Sequence, residues 1–218
     1  MSENAQPELI NINGWPFRLR RSSNLNANTP VMLLLHGHRG NENVMWVLTK
    51  PLPDSYVMLA PRAPVQTGED QYSWHEISPQ WPSLAKYHGL ADELLERVDQ
   101  WLENNNINKT KLDVMGFSQG ATMAYALALT HPKRVEKIAA LAGMIPESWK
   151  DQLDRDALEN KPVFIAHGTK DEIIPIEKSR KAAEWLKEKG ARVTFCEADT
   201  GHKLSANCFS GLGKFFQD

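Results

Sequence analysis

Short apolar runs along the chain alternate with longer segments in which apolar residues recur every three or four positions. Most of the runs are continuously apolar, which is typical of strands covered on both faces of a parallel sheet. Asp113 is their clearest polar interruption. Six runs are predicted as strands: residues 31–35, 56–59, 112–115, 138–142, 163–166 and 192–196.

The periodic segments between the runs predict helices. Residues 90–102 carry apolar side chains on one face and charged ones opposite, the pattern of an amphipathic surface helix. Residues 120–129 are small and apolar nearly all round, which indicates a helix buried against a sheet. Residues 177–189 and a segment from about Ser205 predict two more helices, although two glycines weaken the last prediction.

Strands that alternate with helices predict an α/β fold, a doubly wound and mainly parallel sheet with helices on both faces. Residues 10–20 add a candidate antiparallel hairpin at the front edge. Residues 62–87 show no clear period and directly follow a predicted strand, so we expect a lid-like loop on the substrate side. Residues 1–218 are predicted to form a single domain.

Composition narrows the function classes. The chain has 218 residues, a formal net charge of −2 and no run of five or six like charges, so we expect no nucleic-acid partner and no stable membrane association. The N-terminal residues lack the features of a signal peptide. Cys196 and Cys208 are expected to be buried thiols rather than a redox pair. These observations together favour a cytoplasmic protein.

The strongest chemical motif is Gly116-Phe117-Ser118-Gln119-Gly120, a G-x-S-x-G pentapeptide. A predicted strand runs into it and a small-residue helix runs out. That strand–turn–helix context lifts a nucleophilic serine above the sheet on a sharp turn. The alternative is a helix start capped by Ser118. The context favours Ser118 as a nucleophile.

A serine nucleophile needs a base and a residue that orients the base. Asp171 follows the predicted strand 163–166, and His202 follows the strand 192–196. The order Ser, Asp, His along the chain is that of α/β-hydrolases. Asp171 as a helix cap and His202 as an ordinary loop histidine are the alternatives. Position and order together favour the catalytic triad.

An acyl-transfer site also needs hydrogen-bond donors for the developing oxyanion. The backbone N–H of Gln119 is one candidate, and the N–H of His38, after the first core strand, is the other. His36 and His38 could instead bind a metal, but two histidines at i, i+2 without a third ligand are a weak signal. We therefore expect no metal and no cofactor.

These motifs resemble the phospholipase/carboxylesterase family of small α/β-hydrolases, which includes acyl-protein thioesterases and bacterial carboxylesterases. The resemblance spans nearly the whole chain and implies the α/β-hydrolase fold, a Ser118–His202–Asp171 triad and a Trp74 that borders the acyl pocket. It rests on five segments: LLLHGHRG (33–40), APRAPVQTGEDQYSWHEI (60–77), GFSQGA (116–121), HGTKDEIIP (167–175) and GHKLS (201–205).

Two departures place the chain nearer the bacterial esterases of that family than the acyl-protein thioesterases. The oxyanion loop reads Gly-His-Arg-Gly at 37–40 rather than Gly-Leu-Gly-Asp, and Trp74 is followed by His-Glu rather than Phe-Asp. The expected function is hydrolysis of short-to-medium acyl esters of small molecules, with Trp74 and Trp81 as candidate substrate-binding residues. An acyltransferase, an acyl thioesterase and an inactive binding protein remain alternatives, and a homodimer is left open.

Overall fold

The strands and helices of the computed structural model follow the order that the apolar pattern predicts. The structure describes residues 7–76, 78, 80–152 and 158–217, so Ile77 and Pro79 of the expected lid-like loop lie outside the described residues. The strands are β1 (Glu8–Ile12), β2 (Trp15–Arg20), β3 (Val31–Leu35), β4 (Val57–Pro61), β5 (Val65–Gly68), β6 (Gln71–Ser73), β7 (Leu112–Phe117), β8 (Val135–Leu141), β9 (Pro162–Gly168) and β10 (Arg192–Ala198). The helices are α1 (Leu84–Asn104), α2 (Gln119–Thr130), α3 (Ile176–Glu188) and α4 (Ala206–Gln217).

Eight strands form one sheet in the order β1-β2-β4-β3-β7-β8-β9-β10. In this order, the neighbouring pairs β4–β3, β3–β7, β7–β8, β8–β9 and β9–β10 are parallel. The pairs β1–β2 and β2–β4 are antiparallel. This confirms the mainly parallel sheet and the hairpin at its edge. Leu35 pairs with Gly116, which places the ends of β3 and β7 side by side. The loops that follow these two strands therefore meet at one edge of the sheet.

Each face of the sheet is covered by helices because side chains of the central strands alternate between two apolar clusters. On β3, Val31, Leu33 and Leu35 pack with side chains of α1, α2 and α3. Met32 and Leu34 pack on the opposite face with side chains of α4. Helices on both faces are thus confirmed, and the α/β-hydrolase fold class with them.

Asp113, the polar interruption in β7, is buried but fully engaged. The Tyr56 hydroxyl and the Lys137 backbone N–H, the latter at 3.1 Å, both donate to its carboxylate. Burial raises the pKa of Asp113 above its usual value, although these donors oppose the shift. A core strand therefore tolerates this residue because its oxygens have partners.

The two cysteines are not thiols, so that prediction was wrong. Cys196 on β10 and Cys208 on α4 form a disulfide with a Cα–Cα distance of 5.7 Å. Both side chains lie on the same face of the sheet, among the apolar residues packed against α4. The disulfide joins the strand before His202 to the helix after it.

Residues 62–87 are more regular than their sequence suggests. They contain the β5–β6 hairpin, and α1 begins at Leu84, six residues before the predicted start. The last helix continues through Gly211 and Gly213 because its buried face, with Cys208, Leu212 and Phe216, outweighs the roughly 1 kcal/mol cost of each glycine. None of the helices in the described part of the chain has the length and apolar character needed to cross a bilayer.

Candidate active site

Ser118 lies on a sharp turn between β7 and α2. Its backbone has φ 54° and ψ −118°, a strained conformation for a residue with a side chain. A side chain at Gly116 would come within 2.1 Å of the Gly120 carbonyl oxygen, and one at Gly120 within 2.0 Å of the Leu35 carbonyl oxygen. The two glycines of the pentapeptide thus allow the close backbone approach that this turn requires.

Ser118, His202 and Asp171 form one hydrogen-bonded chain. His202 Nε2 lies 2.9 Å from Ser118 Oγ, and His202 Nδ1 lies 2.7 Å from Asp171 Oδ2. A carboxylate can only accept, so Nδ1 donates to Asp171 and Nε2 accepts from the Ser118 hydroxyl. An imidazole held in this form can take the hydroxyl proton.

Asp171 is held as a carboxylate by its surroundings. Burial by itself raises the pKa of Asp171. The hydrogen bonds from the Ile174 N–H, the His202 ring and the Ile173 N–H lower this pKa by more, so the net shift is downward. Both backbone N–H groups donate to Oδ1 at 2.9 Å. The buried His167 ring contacts Oδ2 at 3.2 Å. Oδ2 is thus presented to His202 in a fixed orientation.

The loop that carries His202 packs directly against the loop that carries Asp171. The Lys170 N–H donates to the Thr200 carbonyl at 3.0 Å. A side chain at Gly168 would come within 2.2 Å of the same carbonyl oxygen, so a glycine is required there. The Phe117 ring lies against the His202 ring, with centroids 5.0 Å apart. These contacts fix the imidazole beside Ser118.

The loop after β3 lies close to Ser118, where an oxyanion would form. A side chain at Gly37 would be 3.2 Å from Ser118 Cβ. The Arg39 N–H donates to the Tyr72 carbonyl at 2.9 Å, and the Gly40 N–H to the Gly37 carbonyl at 3.0 Å. Within the described ranges, the His38 N–H has no acceptor. Gln119 is the first residue of α2, where a backbone N–H has no partner inside the helix.

The segment formed by β6 and Trp74 holds both sides of this oxyanion region. The Tyr72 N–H donates to the Gly40 carbonyl at 3.0 Å, and the Trp74 indole N–H donates to the His36 carbonyl at 2.7 Å. On the other side, the Trp74 backbone N–H donates to Gln119 Oε1 at 3.0 Å. Gln119 Nε2 lies 2.9 Å from Ser73 Oγ.

His36 is engaged through both ring nitrogens. Nδ1 lies 2.7 Å from the Gly37 carbonyl, and Nε2 accepts from the Ala63 N–H at 2.9 Å. Burial, partly opposed by the Gly37 carbonyl and by Glu42, lowers the pKa of His36 to about 4. The ring is therefore neutral near pH 7 and braces the oxyanion loop.

Two cavities flank the site. One, of about 530 Å³, includes Gly37, His38 and Phe117 and is otherwise mainly apolar, with Val44, Met45, Val47, Leu48, Leu204 and Phe209. The other, of about 680 Å³, is lined by Trp74, Trp81 and polar residues of the adjoining segment. Trp74 itself is 2% exposed, whereas Trp81 is 36% exposed. The first cavity directly adjoins Phe117, the residue before Ser118.

The sequence predicted that Ser118, Asp171 and His202 lie together, and the structure brings them together. The sequence did not single out three neighbouring residues. Ser73 contacts Gln119, Phe117 contacts His202, and His167 contacts Asp171. Phe117 and His167 lie inside the motifs that identified the site, which was the available signal. Nothing in the sequence indicates that Ser73 reaches Gln119, 46 residues away.

Comparison with known proteins identifies the family to which the chain belongs. The phospholipase/carboxylesterase family model matches residues 22–218. MhqD of Bacillus subtilis, described only provisionally as a hydrolase, is 29% identical over 177 residues, which are 80% of this chain and 86% of that protein. Acyl-protein thioesterase 1 of Emericella nidulans is 24% identical over 201 residues, with 78% of this chain and 82% of the relative covered.

Solved carboxylesterase structures share the fold. The Bacillus cereus carboxylesterase superposes with a TM-score of 0.79 at 21% identity and 94% coverage of both chains. The Mesorhizobium loti carboxylesterase gives 0.78 at 20% identity and 99% coverage of both. At these identities the superpositions show the fold alone, and the family match over most of the chain adds the enzyme class. The chain belongs to the phospholipase/carboxylesterase family and is a serine hydrolase with the α/β-hydrolase fold.

Proposed function

We propose that the chain is a carboxylesterase that hydrolyses short-to-medium acyl esters of small molecules through Ser118, His202 and Asp171. The observation that carries the proposal is the continuous hydrogen-bonded chain from Ser118 Oγ through the His202 ring to Asp171. It supplies a nucleophile, a base and a carboxylate that orients the base.

In the first half of the reaction, His202 Nε2 takes the Ser118 proton as Oγ attacks the ester carbonyl carbon. The carbonyl π electrons move onto oxygen, and the N–H groups of His38 and Gln119 stabilise that oxyanion. As the tetrahedral intermediate collapses, the ester C–O bond breaks and the His202 imidazolium protonates the leaving alkoxide. An alcohol and an acyl-serine result.

In the second half, water takes the place of the alcohol. His202 removes a proton from the water as its oxygen attacks the acyl carbon, and the oxyanion forms again between the same two N–H groups. Collapse returns the proton to Ser118 and releases the carboxylic acid. Throughout, Asp171 remains ionised and stabilises the imidazolium.

The apolar cavity beside Phe117 is the proposed acyl-binding site. A volume of about 530 Å³ suits a small ligand, and its aliphatic lining fits an alkyl chain. Residues 62–87, with Trp74 and Trp81, are proposed to border the substrate from the other side. Val47→Trp, which adds bulk to the lining of the apolar cavity, should raise KM for longer acyl chains. Trp81→Ala removes a side chain from the second cavity and should raise KM if the substrate contacts Trp81.

The first test is intact-protein mass after treatment with a fluorophosphonate, comparing the wild type with Ser118→Ala. One added adduct on the wild type and none on the variant is the expected result. A folded wild type that stays unlabelled would favour the inactive binding protein.

Substrate tests separate the remaining alternatives. Matched oxygen esters and thioesters of one acid would reveal a thioesterase through a higher kcat/KM for the thioester. Added alcohols would reveal an acyltransferase through ester products, whereas mostly free acid supports a hydrolase.

A cytoplasmic location is likewise proposed, and the Cys196–Cys208 disulfide offers a test of it. Reducing compartments keep protein thiols reduced. Rapid alkylation of cells, followed by mass analysis, should then find free thiols. A persistent disulfide would instead indicate an oxidising compartment.

A further inference from the structure

Three potential metal ligands meet where α1 packs beside the end of α2. His88 and Asp92 lie one turn apart near the start of α1, and His131 caps the end of α2. One ligand atom from each lies within 4.8 Å of the other two. Asp92 Oδ1 is 2.8 Å from His131 Nε2 and 3.8 Å from His88 Nε2.

The hydrogen bonds around His131 fix which nitrogen faces Asp92. Thr130 Oγ1 lies 2.8 Å from the Ala126 carbonyl oxygen and 2.8 Å from His131 Nδ1. The contact with Thr130 orients the ring so that Nε2 faces Asp92 Oδ1, at 2.8 Å. His131 Nε2 is thus held beside a second potential ligand atom.

We propose that His88, Asp92 and His131 bind a divalent transition-metal ion of the zinc class. Two imidazoles and a carboxylate are ligands that Zn²⁺ accepts, and bonds of about 2.0–2.1 Å in a tetrahedron put ligand atoms about 3.4 Å apart. Two of the separations, 2.8 and 3.8 Å, bracket that value, and the third pair of ligand atoms lies within 4.8 Å, so shifts of at most about 1.4 Å bring the set together. Thr130 is hydrogen-bonded to the other nitrogen of the His131 ring and so orients this ligand towards the ion.

The exposure of the ligands fits an ion that retains water. The His131 side chain is 17% exposed, whereas His88 is 52% and Asp92 60% exposed. His131 is thus a pre-positioned ligand, and the other two lie on a surface that the ion can reach. The sequence gives no motif for this site because the third ligand comes from a different helix.

The site lies far from the proposed chemistry. Ser118 precedes the first residue of α2 and His131 follows the last, and a helix of 12 residues is about 18 Å long. A bound ion would tie α1 to α2 without touching the triad. Binding is therefore expected to raise thermal stability and to leave ester hydrolysis unchanged.

The test is a calorimetric titration of the chelator-treated, full-length protein with Zn²⁺, together with the thermal midpoint with and without the ion. We expect one ion per chain and a raised midpoint. His88→Ala, Asp92→Asn and Thr130→Val should each weaken binding by at least about tenfold. Glu96→Gln, one turn along α1 from Asp92, is the matched control, and His202→Ala excludes binding at the triad.

The outcomes are distinct from those that test the esterase proposal. Loss of binding in the three site variants, with both controls unaffected, would support the metal site whatever the enzyme's activity. A wild type without saturable binding, or binding that His88→Ala leaves unchanged, would overturn it. Asp92 and His131 would then form a simple hydrogen-bonded pair.

Discussion

At the scale of single residues, Asp171 decides where the His202 ring carries its proton. Asp171→Asn replaces an acceptor by an amide that can donate to Nδ1, which would leave the proton on Nε2, facing Ser118. We expect kcat for ester hydrolysis to fall by about 10⁴, the scale known for such a change in a serine protease. Steady-state kinetics of the folded variant measure this effect.

Asp199→Asn is the control for that experiment. Asp199 is exposed and pairs with Lys170 in the neighbouring loop, so its loss removes a charge near the site without touching His202. Its kcat should stay near that of the wild type. If Asp171→Asn kept more than a tenth of wild-type kcat, Asp171 would not be the orienting residue.

His36 should make the fold sensitive to mild acid. Its pKa of about 4 lies below the roughly 6.5 of an unfolded chain, so the unfolded state binds the proton first. Stability is therefore lost as pH falls from about 6.5 towards 4. Between pH 7 and pH 5 the contribution of His36 to the free energy of unfolding should fall by about 2 kcal/mol.

Denaturant unfolding at the two pH values measures this loss, with His36→Gln as comparison. The variant should be less stable at pH 7, because two buried hydrogen bonds change, but it should lose less stability on going to pH 5. An equal loss in both proteins would mean that His36 is not the titrating group.

At the scale of elements, the strands buried in the core could be predicted from the sequence more accurately than the exposed ones. The central strands were found within three residues of each end because continuous apolar runs leave few alternatives. Ser118, Asp171 and His202 could be singled out as the proposed triad because each follows a predicted strand. The β5–β6 hairpin was missed because its short strands pair only with each other and carry no apolar period. The disulfide and the contact of Ser73 with Gln119 depend on how distant segments pack, which a local sequence pattern does not show.

We propose that the segment of β6 and Trp74 positions the backbone donors of the proposed oxyanion region. Trp74→Phe removes the indole N–H that holds the His36 carbonyl, and Ser73→Ala removes the contact with Gln119. Misplaced donors stabilise the transition state less, so we expect kcat to fall by about ten- to a hundredfold while KM changes little.

Tyr72→Phe is the matched control for this element. The bonds of Tyr72 to the oxyanion loop are made by its backbone, so the variant keeps them. A comparable fall in kcat for Tyr72→Phe, or a change confined to KM for the other two variants, would contradict a positioning role.

At the scale of the whole molecule, the residues proposed for hydrolysis and those proposed for metal binding lie at opposite ends of α2. The ends of β3, β7, β9 and β10 carry the residues proposed for hydrolysis, while the cluster of His88, Asp92 and His131 lies at the far end of α2. This separation follows from the parallel sheet, whose strands all bring their carboxyl ends to one edge. Stability and catalysis can therefore be perturbed independently, except where one covalent link joins them.

That link is the Cys196–Cys208 disulfide, which encloses His202 within a loop whose ends are 12 residues apart in sequence. Closing a loop of this length in the unfolded chain is worth about 3 kcal/mol. Reduction should therefore lower the free energy of unfolding by about that amount. It should also lower kcat, because the segment carrying His202 would keep only its non-covalent contacts.

Both effects can be measured on the wild type with and without dithiothreitol, by chemical unfolding and by ester hydrolysis. The double variant Cys196→Ser/Cys208→Ser is the control, since a reductant has nothing to cleave in it. It should resemble the reduced wild type and should not respond to dithiothreitol. If reduction of the wild type, verified by thiol alkylation, changed stability but not kcat, the contacts of Phe117, Gly168 and Asp171 alone would suffice to hold His202 in place.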